Sequence, residues 1–322
     1  VAGNFVTKTT APNPGTVIIE SGFNLSLSNP FGKMTTRFLD LASTGTLTIK
    51  NASTPTHTFN SIDVNSAVVY DIISTTASTV APASYGNLVI ARTATLVTNT
   101  NANAVTISAS QILDLNSNGL IISGAGPLVS GPGTFSGNGT SFIECYGGNG
   151  GDNGTFNFTP NANNLDYFYI QLNSSSDFVS LGSDLNINFS SVGAFYQLIG
   201  SFKLNGNSLV LDASSDFGPP SVGLGEIYGG GNSSIFINGS VGLYSATNEL
   251  YMNSSSNSLN VLLLGSASCS LDAGNTLLIN DSLAIQGGGI FNTNGNVTLV
   301  STSTLKGRLG NMSNGTLNGN LT

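Results

Sequence analysis

The chain has 322 residues with a formal net charge of −8, and only 7% of its residues are charged. Soluble globular domains carry roughly a quarter charged residues; here Asn, Ser, Thr and Gly take the polar positions instead. Eight Lys and Arg in all leave no basic surface to neutralise phosphates, so charge excludes a nucleic-acid partner. A hydrophobic content of 39%, set out in short runs, argues against disorder. None of those runs approaches the ~18 apolar residues of a membrane-spanning helix, which predicts no membrane insertion. The start at Val1 rather than Met predicts a processed, mature polypeptide.

In chain order, helix signals are almost absent, because Gly interrupts nearly every window and no apolar 3.6-residue period persists. Short runs rich in Val, Ile, Leu, Phe, Tyr and Thr, bounded by Asn, Gly and Ser, predict many short strands instead. Residues 1–58 are irregular, with strands predicted at Thr16–Glu20, Asn24–Ser28, Arg37–Leu41 and Thr46–Lys50. This region is expected to cap a stack or to exchange a strand with a neighbouring subunit. From residue 59 onward an apolar spacing φ-x-x-φ-x-φ recurs, at Phe59, Ile62 and Val64 and at Tyr85, Leu88 and Ile90. The same spacing joins Leu165, Phe168 and Ile170 to Leu259, Leu262 and Leu264, 94 residues later.

A second marker is an N-x-N turn followed by a strand, at Asn116 and Asn118, Asn205 and Asn207, and Asn292 and Asn294. Asn tolerates the left-handed backbone of a sharp corner, so these residues are predicted structural corners. Together the markers define units of about 85–164, 165–258 and 259–322, a super-repeat near 90 residues. Each unit holds four or five strand–turn repeats of about 20 residues. That spacing predicts an all-β fold, a parallel β-helix or β-solenoid over residues 59–322, with Leu88, Ile90, Leu165, Phe168, Ile170, Leu259, Leu262 and Leu264 as core anchors. Pro219 and Pro220 mark a loop thrown out from the stack. The stop at LNGNLT, in mid-pattern, predicts that the natural polypeptide continues or that this end pairs with another molecule.

Chemistry is harder to assemble. His57 is the single histidine and lies beside Pro55, so triads and multi-histidine metal sites have no material. Cys145 and Cys269 form neither a disulfide framework nor a zinc knuckle; both read as small buried residues, with a disulfide between them left open. The acids are dispersed as Asp63, Asp71, Asp212, Asp216, Glu226, Glu249, Asp272 and Asp281, a poor supply for the paired carboxylates of a polysaccharide lyase or hydrolase. No catalytic residue and no cofactor is therefore expected. One calcium candidate exists. Gly147–Asp152 matches G-G-x-G-x-D and places Asp152 as a ligand, although Gly154 stands where the repeat wants a large apolar residue. Tyr146, Tyr167, Tyr169, Tyr228, Tyr244 and Tyr251 are candidates for stacking on sugars, and Tyr167 and Tyr169 alternate with core anchors and so face outward. About fifteen N-x-S/T sequons occur, among them Asn138, Asn153, Asn238, Asn296 and Asn314.

The segments YGNLVI, LDYFYIQL and LNVLLL, followed by LGSDLNIN or AGNTLLINDSLAI and then VTLVSTS, resemble the repeats of secreted surface proteins of Bacteroidota. Those adhesins carry β-solenoid regions and are usually exported by the type IX route. The ending Lys306–Thr322 is similar to the family's exit from such a region. The resemblance, over about residues 59–322, implies an extracellular or cell-surface location. It also makes Asp281-Ser282-Leu283 similar to that phylum's O-glycosylation site, at Ser282.

The expected function is a non-enzymatic structural or adhesive protein, a subunit or segment of a surface fibre. Its partners would be copies of itself or other fibre subunits, with glycans or host and cell surfaces as further contacts. The alternative is a carbohydrate-active β-helix, either a lyase or a glycan-binding module.

Overall fold

Short β-prone runs separated by Asn, Gly and Ser can bury their apolar side chains only by stacking, and the chain stacks them. The computed structural model describes residues 16–19, 24–27, 38–50, 59–72, 78–188, 195–212, 226–237, 249–265, 268–271, 274–300, 308–309, 315–319 and 321. Among these, strands are the only regular structure, and they pair in parallel with the strand one turn away. The turns follow one another at a spacing of ~22 residues, which makes the fold a β-solenoid. His57, Asp216, Pro219, Pro220, Asn238, Tyr244, Asp272, Asn314 and most of the two terminal segments lie outside the described residues.

The faces of the solenoid are a ten-stranded sheet running from Asn24–Leu27 to Phe195–Ile199, and a twelve-stranded sheet from Ser78–Val80 to Val297–Leu299. Three smaller sheets complete it. Within residues 1–58, expected to cap the stack or to exchange a strand, Asn24–Leu27 and Thr46–Ile49 are the first two strands of the ten-stranded sheet, and the second pairs with Ala67–Tyr70.

Early turns hold two strands, as in Ser84–Ile90 with Ala94–Leu96. Later turns hold three, as in Phe142–Gly147, Asp152–Phe156 and Phe158–Leu165. The period lengthens accordingly. Leu47, Val68 and Leu88 are partners at 21 and 20 residues, whereas Leu211, Ile237 and Leu264 are partners at 26 and 27.

Side chains alternate across each strand, so one set points inward and stacks turn upon turn. Leu165, Ile187, Leu211, Ile237, Leu264 and Ile285 form one such column, and Leu185, Leu209, Ile235, Leu262 and Leu283 form its neighbour. All eight predicted anchors are fully buried. Each such side chain contributes about 1.5–3 kcal/mol relative to exposure. Where the cross-section widens from two strands to three, rings fill the space: Phe156 lies 5.6 Å from Phe135 and 5.1 Å from Phe168, which lies 5.8 Å from Phe202. Val64 departs from the predicted pattern. It is 57% exposed because residues 63–66 form a tight turn, closed by Ser66 N–H donating to Asp63 O.

The Asn corners have one chemistry. Asn116 and Ser117 both have positive φ, 48° and 63°, and Asn118 N–H donates to Leu115 O, the mark of a type I′ turn. Asn205 with Gly206 repeats it, as does Asn294 with Gly295. The side chains of Asn116 and Asn118 donate to Leu96 O, and those of Asn205 and Asn207 donate to Leu181 O. Asn294 does the same to Leu271 O. Each corner is thereby tied to the turn beneath it.

The third corner corrects the expectation. Its second Asn is Asn296, whose N–H donates to Thr293 O, and Asn292 is not part of it. Asn292 ends the strand Ile290–Asn292, where its amide donates to Ser270 Oγ and accepts from Asn318. A turn centred on Asn292 would place β-branched Thr293 at positive φ, a strained conformation for it. With Asn116, Asn205 and Asn294 equivalent, the marker recurs at 89 and 89 residues. The copies match in pattern rather than position: Phe168 and Ile170 belong to the ten-stranded sheet, Leu262 and Leu264 to the twelve-stranded one.

Candidate functional site

The densest group of chemistry-bearing side chains stands on the outer face of the ten-stranded sheet. In Phe142–Gly147, Ile143 and Cys145 point into the core, so Phe142, Glu144 and Tyr146 point out. One turn later Phe168, Ile170 and Leu172 are buried, which turns Tyr167, Tyr169 and Gln171 outward. The register sets Phe142 beside Tyr167, Glu144 beside Tyr169 and Tyr146 beside Gln171. All six are half-exposed.

These side chains are tied to one another. The Tyr167 hydroxyl donates to Glu144 Oε1 at 2.6 Å, and the Tyr146 hydroxyl donates to Glu144 Oε2 at 2.9 Å. The Tyr169 hydroxyl donates to Gln171 Oε1 at 2.7 Å. Phe142 and Tyr167 stack with centroids 4.5 Å apart and planes 11° from parallel, and Tyr146 packs on Tyr169 at 5.2 Å. Phe142 in turn leans over Gly119, where a Cβ would fall 1.9 Å from its ring; only Gly leaves that ring its place. Partial burial, and for Tyr146 and Tyr167 the bond to the Glu144 carboxylate, hold these phenols above their ordinary ionisation range.

The grouping joins three of the six predicted tyrosines. Tyr228 lies on another sheet, where Lys203 Nζ sits 3.1 Å from the Phe178 centroid and 5.1 Å from that of Tyr228. Tyr251 is half-exposed, on neither of these two strands. Glu144 was missed by the sequence reading, although the alternation Phe-Ile-Glu-Cys-Tyr already places it outward between two rings.

Several of the other described acids are used by the scaffold. Asp71 pairs with Lys50 at 3.4 Å and with Arg92 at 3.1 Å. Asp63, Asp114 and Asp184 accept backbone N–H groups at corners, and Glu226 accepts from the Asn253 amide. Asp152, the calcium candidate, is exposed and accepts from Gly154 N–H, while Asp177 Oδ1 accepts from Gly151 N–H. The Gly run around it serves the backbone: Gly147, Gly148, Gly150 and Gly151 all have positive φ, and a Cβ on Gly154 would fall 2.0 Å from Val129 O. Among the described residues no three His, Cys, Asp or Glu side chains gather at metal-binding spacing.

Cys145 and Cys269 are buried, lie in different sheets and are not joined in a disulfide, and burial pushes the Cys145 thiol up. Of the sequons, Asn153 is buried and its amide donates to Gly151 O, which closes it to modification; Asn138 is exposed and Asn296 half-exposed. Ser282 lies half-exposed on Leu277–Ile285, beside a bulge in that strand's pairing. Among the described residues no helix is long and apolar enough to cross a membrane. Comparison with known protein families, with curated proteins and with solved structures finds no match to this chain.

Proposed function

We propose that this chain is a non-enzymatic structural and adhesive protein of the extracellular surface, a segment of a fibre built from stacked β-turns. The observation that carries the reading is the column Leu165 to Ile285, fully buried through six successive turns. A stack of this kind resists bending because each turn is hydrogen-bonded to the next along one axis. Eleven strands in one parallel ladder, ~4.8 Å apart, make a rod about 50 Å long. Its outer surface of Asn, Ser and Thr is soluble with little charge, and it is the surface on which sequons and the Asp281-Ser282-Leu283 segment would carry glycans. The resemblance to Bacteroidota surface repeats supports the same location. The partners are further turns of the same kind, from other copies or other fibre subunits, which would meet the strand edges at the ends of the stack.

Electron microscopy of the purified chain over a range of concentrations tests this. Rods that join end to end into filaments support it. Rods that stay monomeric at every concentration, with or without the surface material of the source cell, contradict it.

A further inference from the structure

We infer that the outer face formed by Phe142, Glu144, Tyr146, Tyr167, Tyr169 and Gln171 is a binding site for a neutral glycan. The inference deepens the adhesive reading and rests on it for the glycan's place on a surface; fibre formation does not depend on it.

The first argument is the attitude of the rings. Residues two apart on a strand start about 6.6 Å from each other. A 2.9 Å bond from Tyr146 to Glu144, or a 2.7 Å bond from Tyr169 to Gln171, therefore needs side chains that lean along the strand. A tyrosine leaning in this way lies along the outer face of the sheet, within reach of a ligand laid on that face. Tyr146 and Tyr169 are also fixed in that attitude, by their hydroxyl anchors and by packing on each other at 5.2 Å. A ligand meeting such a surface orders little that is not already ordered.

The second argument is the hydrogen-bonding inventory. Each Glu144 oxygen accepts one phenol, which leaves further lone pairs on both oxygens. Tyr146, Tyr167 and Tyr169 have each spent their one donor inward, so their hydroxyl oxygens offer only acceptor capacity outward. The face thus combines flat apolar rings with a surplus of acceptors. Its complement is a flat C–H surface edged with O–H donors, which is the chemistry of a pyranose ring.

The third argument is charge. None of the six residues is cationic, and Lys50, Arg92 and Lys203 are engaged elsewhere, with Asp71 and with Phe178. Glu144 repels an acidic sugar, so the glycan is neutral. A cation could also be drawn to ring faces, and that competitor is built into the test.

Titration calorimetry of the intact chain with neutral β-glucan, chitin and mannan hexasaccharides decides the matter. Binding to at least one of them is expected. Tyr169→Ala, on an outward position, should weaken it about tenfold or more. Tyr146→Phe, which keeps the ring and frees only its anchor, should weaken it several-fold, and Tyr228→Ala, on another sheet, should leave it unchanged. Urea midpoints check that each variant is folded. The inference is overturned if no neutral hexasaccharide binds, if folded Tyr169→Ala and Tyr146→Phe bind as the parent does, or if a trimethyl-lysine peptide takes the site instead. Filaments formed by a chain that binds no glycan would remove this inference and leave the fibre reading standing.

Discussion

Phe168→Ala is expected to lower the unfolding free energy by about 3–5 kcal/mol, the largest single-residue effect in the chain outside backbone lesions. Phe168 is fully buried, between Ile143 one turn before it and Phe195 one turn after. Its ring meets Phe156 edge-on at 5.1 Å and Phe202 at 5.8 Å, so it closes the junction of two sheets where the third strand enters each turn. The cost falls at the high end of the range for a mechanical reason. Relaxation into a cavity needs backbone movement, and the preceding strand, Phe142–Gly147, is pinned on its far side by its ladder to Gly119–Gly124. Nearest-neighbour coupling in a repeat stack then carries the loss to adjacent turns. Urea unfolding gives the free energy, and hydrogen exchange of the 142–147 and 195–199 amides shows whether adjacent turns open with it. A loss under ~1 kcal/mol would mean that the ring cluster does not hold the widened turns together.

The second large effect is alkaline. Tyr70 and Tyr85 are buried with their hydroxyl oxygens 2.8 Å apart; Ala81 N–H donates to the Tyr70 oxygen and the Tyr85 hydroxyl donates to Ala81 O. Burial pushes Tyr70 up to about 12, against the help of its bonds to Tyr85 and Ala81. Tyr85 is raised well above its ordinary value, by burial first and by the neighbouring Tyr70 second. In the unfolded chain both phenols ionise near pH 10. The folded state holds their protons longer, so its stability is fully present below pH 10 and falls as pH rises toward 12. The slope is about 1.4 kcal/mol per pH unit for each tyrosine, or about 3 kcal/mol for Tyr70 across its two-unit gap. Urea midpoints at pH 8, 10, 11 and 12 should show a plateau and then a decline. The Tyr70→Phe, Tyr85→Phe double variant should start lower, because Ala81 N–H loses its acceptor, and decline less steeply. Tyr146, Tyr167 and Tyr169 shift in the same direction and keep part of the slope in that variant. An equal slope in parent and variant would show that this pair does not titrate as a buried unit.

Much of this architecture is written in local pattern. Strand alternation alone puts Leu262 and Leu264 inside and Tyr167 and Tyr169 outside, since a pleated strand has no other way to bury the first pair. The turn chemistry is equally local, yet it is decided by φ rather than by a repeated letter. NTNGN contains two overlapping N-x-N triplets, and only the one avoiding a left-handed Thr293 can turn, which is why Asn294 and Asn296 form the corner and Asn292 stays in its strand. Val64 shows the same limit in reverse, because an apolar spacing carried on into a turn leaves its last member in water.

The candidate site was half legible for a related reason. Tyr146, Tyr167 and Tyr169 meet only because residues 142–147 and 167–172 pair at a 25-residue offset, longer than the early turns. Turn length there depends on an added strand whose presence is a matter of three-dimensional packing. Glu144 draws its role from two hydroxyls, one of them a full turn away, so no local motif announces it.

The central claim, that successive turns lie in parallel register and build one rod, is tested most directly by a cysteine pair. Val210 and Phe236 are half-exposed, point outward from adjacent strands and are register partners. Partner Cα atoms in neighbouring strands sit about 4.8 Å apart, within the span of a disulfide. The account predicts that Val210→Cys with Phe236→Cys oxidises readily in the folded protein, as read by mass spectrometry of non-reduced peptides. It also predicts that Val210→Cys with Leu263→Cys, two turns apart, stays reduced. The reverse outcome, a closed 210–263 pair with an open 210–236 pair, would contradict the stacked register on which the fold and the proposed function both rest.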